Sequence, residues 1–327
     1  MPTLVRRLPP LGVALAAALA AVAVSGLVPL LGALLVALAL GTVVANTPLA
    51  HARALVGHAA VTKLLLRLGV VLLGLRLPLG DVAAIGAAGV LVVVATVVLT
   101  YAATRALGTR LGLDQRLVTL LAAGFSICGA AAIAALADAV GARQKDVAHA
   151  VALVTIYGTA MIVLVPWAVA GLGLSEEQGA IWAGASIHEV AQVVAAAAII
   201  GPGAVAVATT VKLGRVALLA PTYLVAVRGA GSGTGAPASA GRVPLLPWFL
   251  VGFVAMVALR SSGLLPGQLV DAADDVTTVL LAAGMFGLGL GLRLRELWPV
   301  PAGALVLATC STLVAAGTSL ALVVALY

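Results

Sequence analysis

Eleven apolar runs, each long enough to cross a bilayer, leave this chain few ways to fold. They lie near 11–26, 29–45, 60–78, 83–105, 117–138, 146–171, 179–200, 204–227, 245–261, 273–292 and 300–326. In hydrocarbon every backbone N–H and C=O must find its partner inside the protein, so these runs read as the helices of an all-α polytopic membrane protein. Composition agrees. Of 327 residues, 63% are hydrophobic and 9% charged, against about a quarter charged in a soluble domain. The net charge of +7 then records which loops stay in the cytoplasm and is no sign of a nucleic-acid partner. Cys128 and Cys310 both fall in apolar runs, which argues against a disulfide framework. The first residues, MPTLVRRLPPLGVALAAALAAVAVSG, have the pattern of a signal peptide. The many spans that follow favour a first transmembrane helix with a basic cytoplasmic anchor. One stretch, 228–244, is rich in Gly, Ala and Ser and reads as a flexible cytoplasmic linker. The rest reads as a single transmembrane domain over 1–327, with related halves of roughly 29–171 and 175–327.

The halves are related by internal repeats. VTKLLLRLGVVLLGLRLPLGD (61–81) aligns without gaps on VTTVLLAAGMFGLGLGLRLRE (276–296): Gly69 meets Gly284, Gly74 meets Gly289, and Asp81 meets Glu296, an offset of 215. GFSICGAAAIAALA (124–137) aligns on GASIHEVAQVVAAA (184–197) at an offset of 60, which sets Cys128 against His188. A weaker pairing sets Pro166 on Pro221 at an offset of 55, and Tyr157 on Lys212.

Charge decides the topology. If all eleven runs cross, Arg143 and Lys145 lie outside and Glu176 and Glu177 inside. If 117–138 and 179–200 are broken or re-entrant, each entering and leaving on one side, every strongly basic loop becomes cytoplasmic. Each repeat pair then also has opposite orientation. The expectation is an inverted-repeat protein in which two interrupted segments meet near the midplane. Irregular backbone is tolerated at that depth only where it is buried or lines a cavity.

The polar residues of those segments are the candidate site. In FSICGAAA, Ser126 offers a hydroxyl, and Gly129 lets the backbone leave helical geometry. A helix starting there directs N–H groups at an anion. In ASIHEVAQ, an ionisable pair, His188 and Glu189, lies in an apolar run, where charge costs several kcal/mol. Either can carry a proton, and Gln192 follows one turn on. HEVAQ has the outline of the zinc motif H-E-x-x-H, but Gln192 stands where the second histidine belongs. In TTVKLGRVALLAP, Lys212 and Arg215 share one helix face and sit deep in their run. Lys212 is expected to face the site. Lys63, Arg67 and Arg76 read as interfacial anchors. Asp114, Asp138 and His149 read as solvated loop-end residues.

FSICGAAAIAA (125–135), GASIHEVAQVVAA (184–196) and VKLGRVALLAP (211–221) carry a resemblance that extends over nearly the whole chain. The sequence resembles the YeiH-type family, bacterial inner-membrane proteins that bear the name sulfate exporter. The family more often has Ser where Ala131 stands. The resemblance implies anion export and a distant kinship to inverted-repeat antiporter and bile-acid-transporter folds. The combined expectation is a secondary transporter of a small anion such as sulfate or a sulfonate, in the bacterial inner membrane, N-terminus cytoplasmic. Ser126, Ile127, Cys128, Gly129, Ser186, Gln192, Lys212 and Arg215 would bind substrate. His188 and Glu189 would carry a coupling proton. No metal, cofactor or nucleic acid is expected, nor ATP hydrolysis, for want of a P-loop. Alternating access would rock one bundle against another, and the charge-poor stretch 11–45 is a candidate homodimer face. Three rivals remain: a cation/proton antiporter using Glu189, an intramembrane enzyme with Ser126 or Cys128 as nucleophile and His188 as base, and a non-transporting scaffold.

Overall fold

The computed structural model of the chain describes residues 8–27, 32–231, 247–293, 295 and 300–327. Among them, the sequence runs become helices: α1 (Leu8–Leu27), α2 (Ala33–Ala45), α3 (His58–Leu73), α4 (Leu79–Ala84), α5 (Gly86–Arg110), α6 (Gln115–Ser126), α7 (Ala130–Ala137), α8 (Gln144–Leu172), α9 (Glu176–Ser186), α10 (Val190–Ile200), α11 (Ala204–Ala217), α12 (Leu219–Gly231), α13 (Trp248–Ser261), α14 (Gly267–Gly289) and α15 (Ala302–Leu326). Among the described residues, six helical stretches are long and apolar enough to cross a membrane: Leu8–Leu27, His58–Arg76, Gly86–Arg110, Gln144–Leu172, Ala204–Arg228 and Ala302–Leu326. Large apolar side chains such as Val98, Leu99, Ile156, Val163 and Leu313 point outward, as a lipid-facing surface requires. The protein is an all-helical polytopic membrane protein. Of the expected linker, 228–231 complete α12 and the remainder lies outside the described residues, as does Glu296.

The chain divides into two compact units. One comprises residues 1–78 and 252–299, the other 79–251 and 300–327. Each unit therefore draws on both sequence halves.

In the first unit, α14 packs against α1, α2 and α3. The contacts there are reciprocal. A methyl group at Gly69 would lie 2.6 Å from Leu281, and one at Gly284 would lie 2.5 Å from Leu66. Leu66 and Leu281 are themselves 215 apart, like the two glycines. Gly41 likewise abuts Gly289, while Gly74 abuts Met256. Adding 215 to 41 and to 74 gives 256 and 289. A contact whose two ends exchange under one offset is the signature of a two-fold relation. Here α2 and α3 are one copy, and α13 and α14 the other. Small residues at the crossings let the backbones approach, the usual basis of helix packing in lipid.

In the second unit the interrupted segments are re-entrant hairpins. Asp114 caps the start of α6 by accepting from the N–H of Arg116. Arg143, just past α7, donates to the Asp114 carboxylate at 2.7 Å. The chain therefore returns to where it began. At the other hairpin, Ser175 caps α9, and the N–H of Gly203, just past α10, donates to Glu176 Oε1 at 2.6 Å. Between the two mouths runs α8, 29 residues long, about 44 Å at 1.5 Å per residue. The hairpins thus enter from opposite ends, and their tips converge. Helix starts follow the offset of 60: Ala130 matches Val190, and Gln144 matches Ala204. This offset supersedes the pairing at 55. Lys212 corresponds to Ala152, and Tyr157 to Ala217. The pair α5 and α15 packs side by side and is joined by a hydroxyl contact, Thr104 to Ser311 at 2.8 Å.

Candidate functional site

A helix that stops inside a membrane leaves its last carbonyls and its first N–H groups without intrahelical partners, and these hairpins have two such stops each. At the first tip, α6 ends at Ser126. Gly129 then takes φ 72° and ψ −133° as α7 begins, a region that side chains with a Cβ avoid. At the second, α9 ends at Ser186 and α10 starts after Glu189. All of Ser126, Ile127, Cys128, Gly129, Ser186, Ile187, His188, Glu189 and Gln192 are buried.

The orphan carbonyls are met by two cations from α11. Lys212 donates to Ile127 O at 2.8 Å and Ile187 O at 2.6 Å. Arg215 donates to Phe125 O (2.8 Å), Ser126 O (2.9 Å), Ala185 O (2.6 Å) and Ile187 O (2.9 Å). Ile127 and Ile187 are repeat equivalents, and so are Phe125 and Ala185. Each cation therefore bridges matching points of the two hairpins. Both side chains are fully buried. Two of three ammonium hydrogens and four of five guanidinium hydrogens are spent on backbone. Positive charge at helix C-termini is stabilised by the helix dipoles as well as by these bonds. Gly184 makes the reach possible, for it lets α11 lie against α9 at Ala208 and Val211.

The N-termini have the opposite complement. The N–H of Ala130, first in α7, donates to Glu189 Oε1 at 3.4 Å, and Glu189 is also the N-cap of α10. One carboxylate thus sits at two helix N-termini. Gly129 must be glycine on a second count, because a methyl there would lie 2.5 Å from Glu189 Cγ. Gly129 and Glu189 are repeat equivalents, so the two-fold relation passes between them. Gln192 holds the cap from the other side. Its Oε1 accepts from the Glu189 N–H at 3.1 Å, and its Nε2 donates to Thr155 O at 3.3 Å. The amide fits because position 158 is glycine.

His188 packs edge-on against Phe125, ring centres 4.6 Å apart, and its Nε2 lies 3.2 Å from Thr312 Oγ1. Three buried polar atoms have no hydrogen-bond partner among the described residues here: His188 Nδ1, Glu189 Oε2 and Thr155 Oγ1. The serine hydroxyls turn back on their own helices, Ser126 toward Ala123 O and Ser186 onto Trp182 O at 2.6 Å.

The ten residues expected to bind substrate or carry the proton therefore converge on the two tips. Sequence reasoning missed Thr312, Thr155 and Gly158, which carry no signal beyond being small or polar in apolar runs. Tyr157 bonds away to Leu305 O and Thr309 Oγ1 on α15. His149, expected to be solvated, is buried, since α8 turns it inward. Arg76 is tied to Asp274 at 2.6 Å.

A family model described as "Conserved hypothetical protein 698" matches residues 10–308. A UPF0324 membrane protein of Corynebacterium glutamicum is 43% identical over 289 residues, 88% of this chain and 84% of the relative. A UPF0324 membrane protein of Pseudomonas aeruginosa is 39% identical over 82% of this chain and 78% of its own length. One of Yersinia pestis is 41% identical over 80% and 75%. No solved structure matches the chain.

Proposed function

The chain belongs to the family of conserved hypothetical protein 698, whose relatives are membrane proteins, and from that premise we propose that it is a secondary transporter exporting a small anion such as sulfate or a sulfonate. One observation carries the reading. Two re-entrant hairpins from opposite sides meet at a buried carboxylate held between two helix N-termini, with two buried cations behind them.

Helix N-termini favour negative charge. In the proposed cycle Glu189 supplies that charge when no substrate is bound. Protonation of Glu189 removes it, and the N–H groups at the starts of α7 and α10 become available to an anion. The anion then takes the place of the carboxylate charge while Glu189 holds the proton, which couples their movements. Lys212 and Arg215 supply a positive field through backbone they already hold, and Gln192 keeps the N-cap in register. Ile127, Cys128 and Gly129 contribute backbone, and Ser126 and Ser186 line the tips. His188 passes the proton through its unpartnered Nδ1.

The positive-inside rule puts the α6–α7 mouth, with Arg116, Arg143 and Lys145, in the cytoplasm, and Glu176 and Glu177 outside. A second reading, cation/proton exchange at Glu189, draws on the unpartnered Oε2. Against the enzyme reading stands the geometry of Ser126, whose hydroxyl is directed to Ala123 O, and of His188, which pairs with Thr312.

Sulfate counterflow in proteoliposomes tests the proposal. The wild type is expected to exchange labelled sulfate or a sulfonate. Glu189→Gln is expected to keep exchange but lose accumulation driven by a pH gradient. A wild type that exchanges neither anion, and instead moves alkali cations against protons, overturns the anion reading.

A further inference from the structure

Five backbone carbonyls from two unwound helix ends converge on α11, and that is the arrangement with which transporters of broken-helix design hold a coupling cation. Here the position is already filled. Lys212 bonds the equivalent carbonyls of Ile127 and Ile187, and Arg215 takes those of Phe125, Ser126 and Ala185.

We propose that the Lys212 ammonium is a resident monocation standing where a coupling alkali cation would otherwise bind, so that the protein works without a sodium site, and that deleting this side chain opens one. The inference rests on the transporter reading for its meaning, but its geometry does not depend on the substrate.

Three features carry it. The ligands are right, since backbone carbonyls are the oxygen donors that hard monovalent cations accept. The charge is right, because Lys212 is a compact point charge with three donors on a flexible stem, unlike the planar guanidinium beside it. The symmetry is right, because the ammonium contacts one residue and its exact repeat equivalent, so the cage belongs to the paired hairpins. The cations themselves have no counterpart in the other repeat, where Ala152 and Thr155 stand.

Thermal unfolding of the purified full-length protein in detergent tests this without any transport assay. Melting is compared in sodium, potassium, methylammonium and choline chloride at equal ionic strength. The wild type is expected to melt identically in all four. Lys212→Ala is expected to be stabilised by sodium or methylammonium over choline, by roughly 2 °C or more for a site well above its Kd. Recovery of folded Lys212→Ala only in the presence of those ions is the same result. Lys212→Arg, which keeps the charge, is expected to behave as the wild type does. Alkali-specific stabilisation of the wild type or of Lys212→Arg overturns the proposal. So does a folded Lys212→Ala indifferent to every cation. Failure of sulfate exchange, with these shifts present, would remove the anion and leave the resident cation in place.

Discussion

The two hairpins share a backbone and differ in chemistry. Phe125-Ser126-Ile127-Cys128-Gly129 and Ala185-Ser186-Ile187-His188-Glu189 stop at matching points, present matching carbonyls and touch at matching residues. Yet the imidazole and the carboxylate are both on the second, and the cations come only from the helix that follows it. Repetition supplied the geometry twice, and the chemistry was written once. The first tip is the smooth partner. Gly129 and the alanines that follow provide room and helix N–H groups, against which the second tip sets His188, Glu189 and Gln192.

That contrast can be broken at three strengths. The largest effect is expected from Arg215→Ala, which strands carbonyls on both hairpins at once. Each unsatisfied buried acceptor costs about 1–3 kcal/mol, and three carbonyls, those of Phe125, Ser126 and Ala185, lose their partner while Lys212 keeps Ile187 O, so the sum is a large part of the stability of a typical domain. Size-exclusion yield should collapse, while Arg215→Lys should recover part of it. Next comes Gly129→Ala. The matched control is Gly141→Ala, also at positive φ but with open space around it, expected to cost about 1–2 kcal/mol. Gly129→Ala must in addition displace Glu189, and should lower the melting temperature at least twice as far. The smallest effect is at the mouths. Arg143 is half-exposed between Asp114 and Asp146. The Asp146 hydrogen bond and charge hold its guanidinium pKa above the ordinary arginine value, so it stays charged at any working pH. Arg143→Ala should destabilise slightly at low salt and not at high salt. Glu176→Gln should show a weaker salt dependence, since Glu176 accepts from a backbone N–H at a helix start and, among the described residues, pairs with no ion there.

Much of this architecture was legible beforehand, for particular reasons. Spans announce themselves by length, and re-entry by the misplaced charges of Arg143, Lys145, Glu176 and Glu177. The offsets of 215 and 60 survived because glycines at helix crossings, such as Gly69 and Gly284, are hard to replace. The pairing at 55 failed because it rested on two prolines, and proline is tolerated at many points of a membrane helix. The destination of Lys212 and Arg215 could not be read. Sequence places a cation at depth but does not say whether it meets a ligand or the ends of two other helices. Backbone acceptors leave no trace in residue identity. For the same reason the Thr312 partner of His188 and the room that Gly158 gives Gln192 had no signal.

The Arg215 clamp also sets an order of events at the ribosome. It reaches Phe125 O across 90 residues of sequence. At about 5–20 residues per second, the α6–α7 hairpin exists for roughly 5–18 s before its clamp is made. During that interval the hairpin's terminal carbonyls cannot be shielded by α11, and lipid offers them nothing. The first hairpin must therefore wait in the insertion machinery or at the wet edge of the bilayer, and seat only when its second copy arrives with the cations. In this protein the later repeat completes the earlier one.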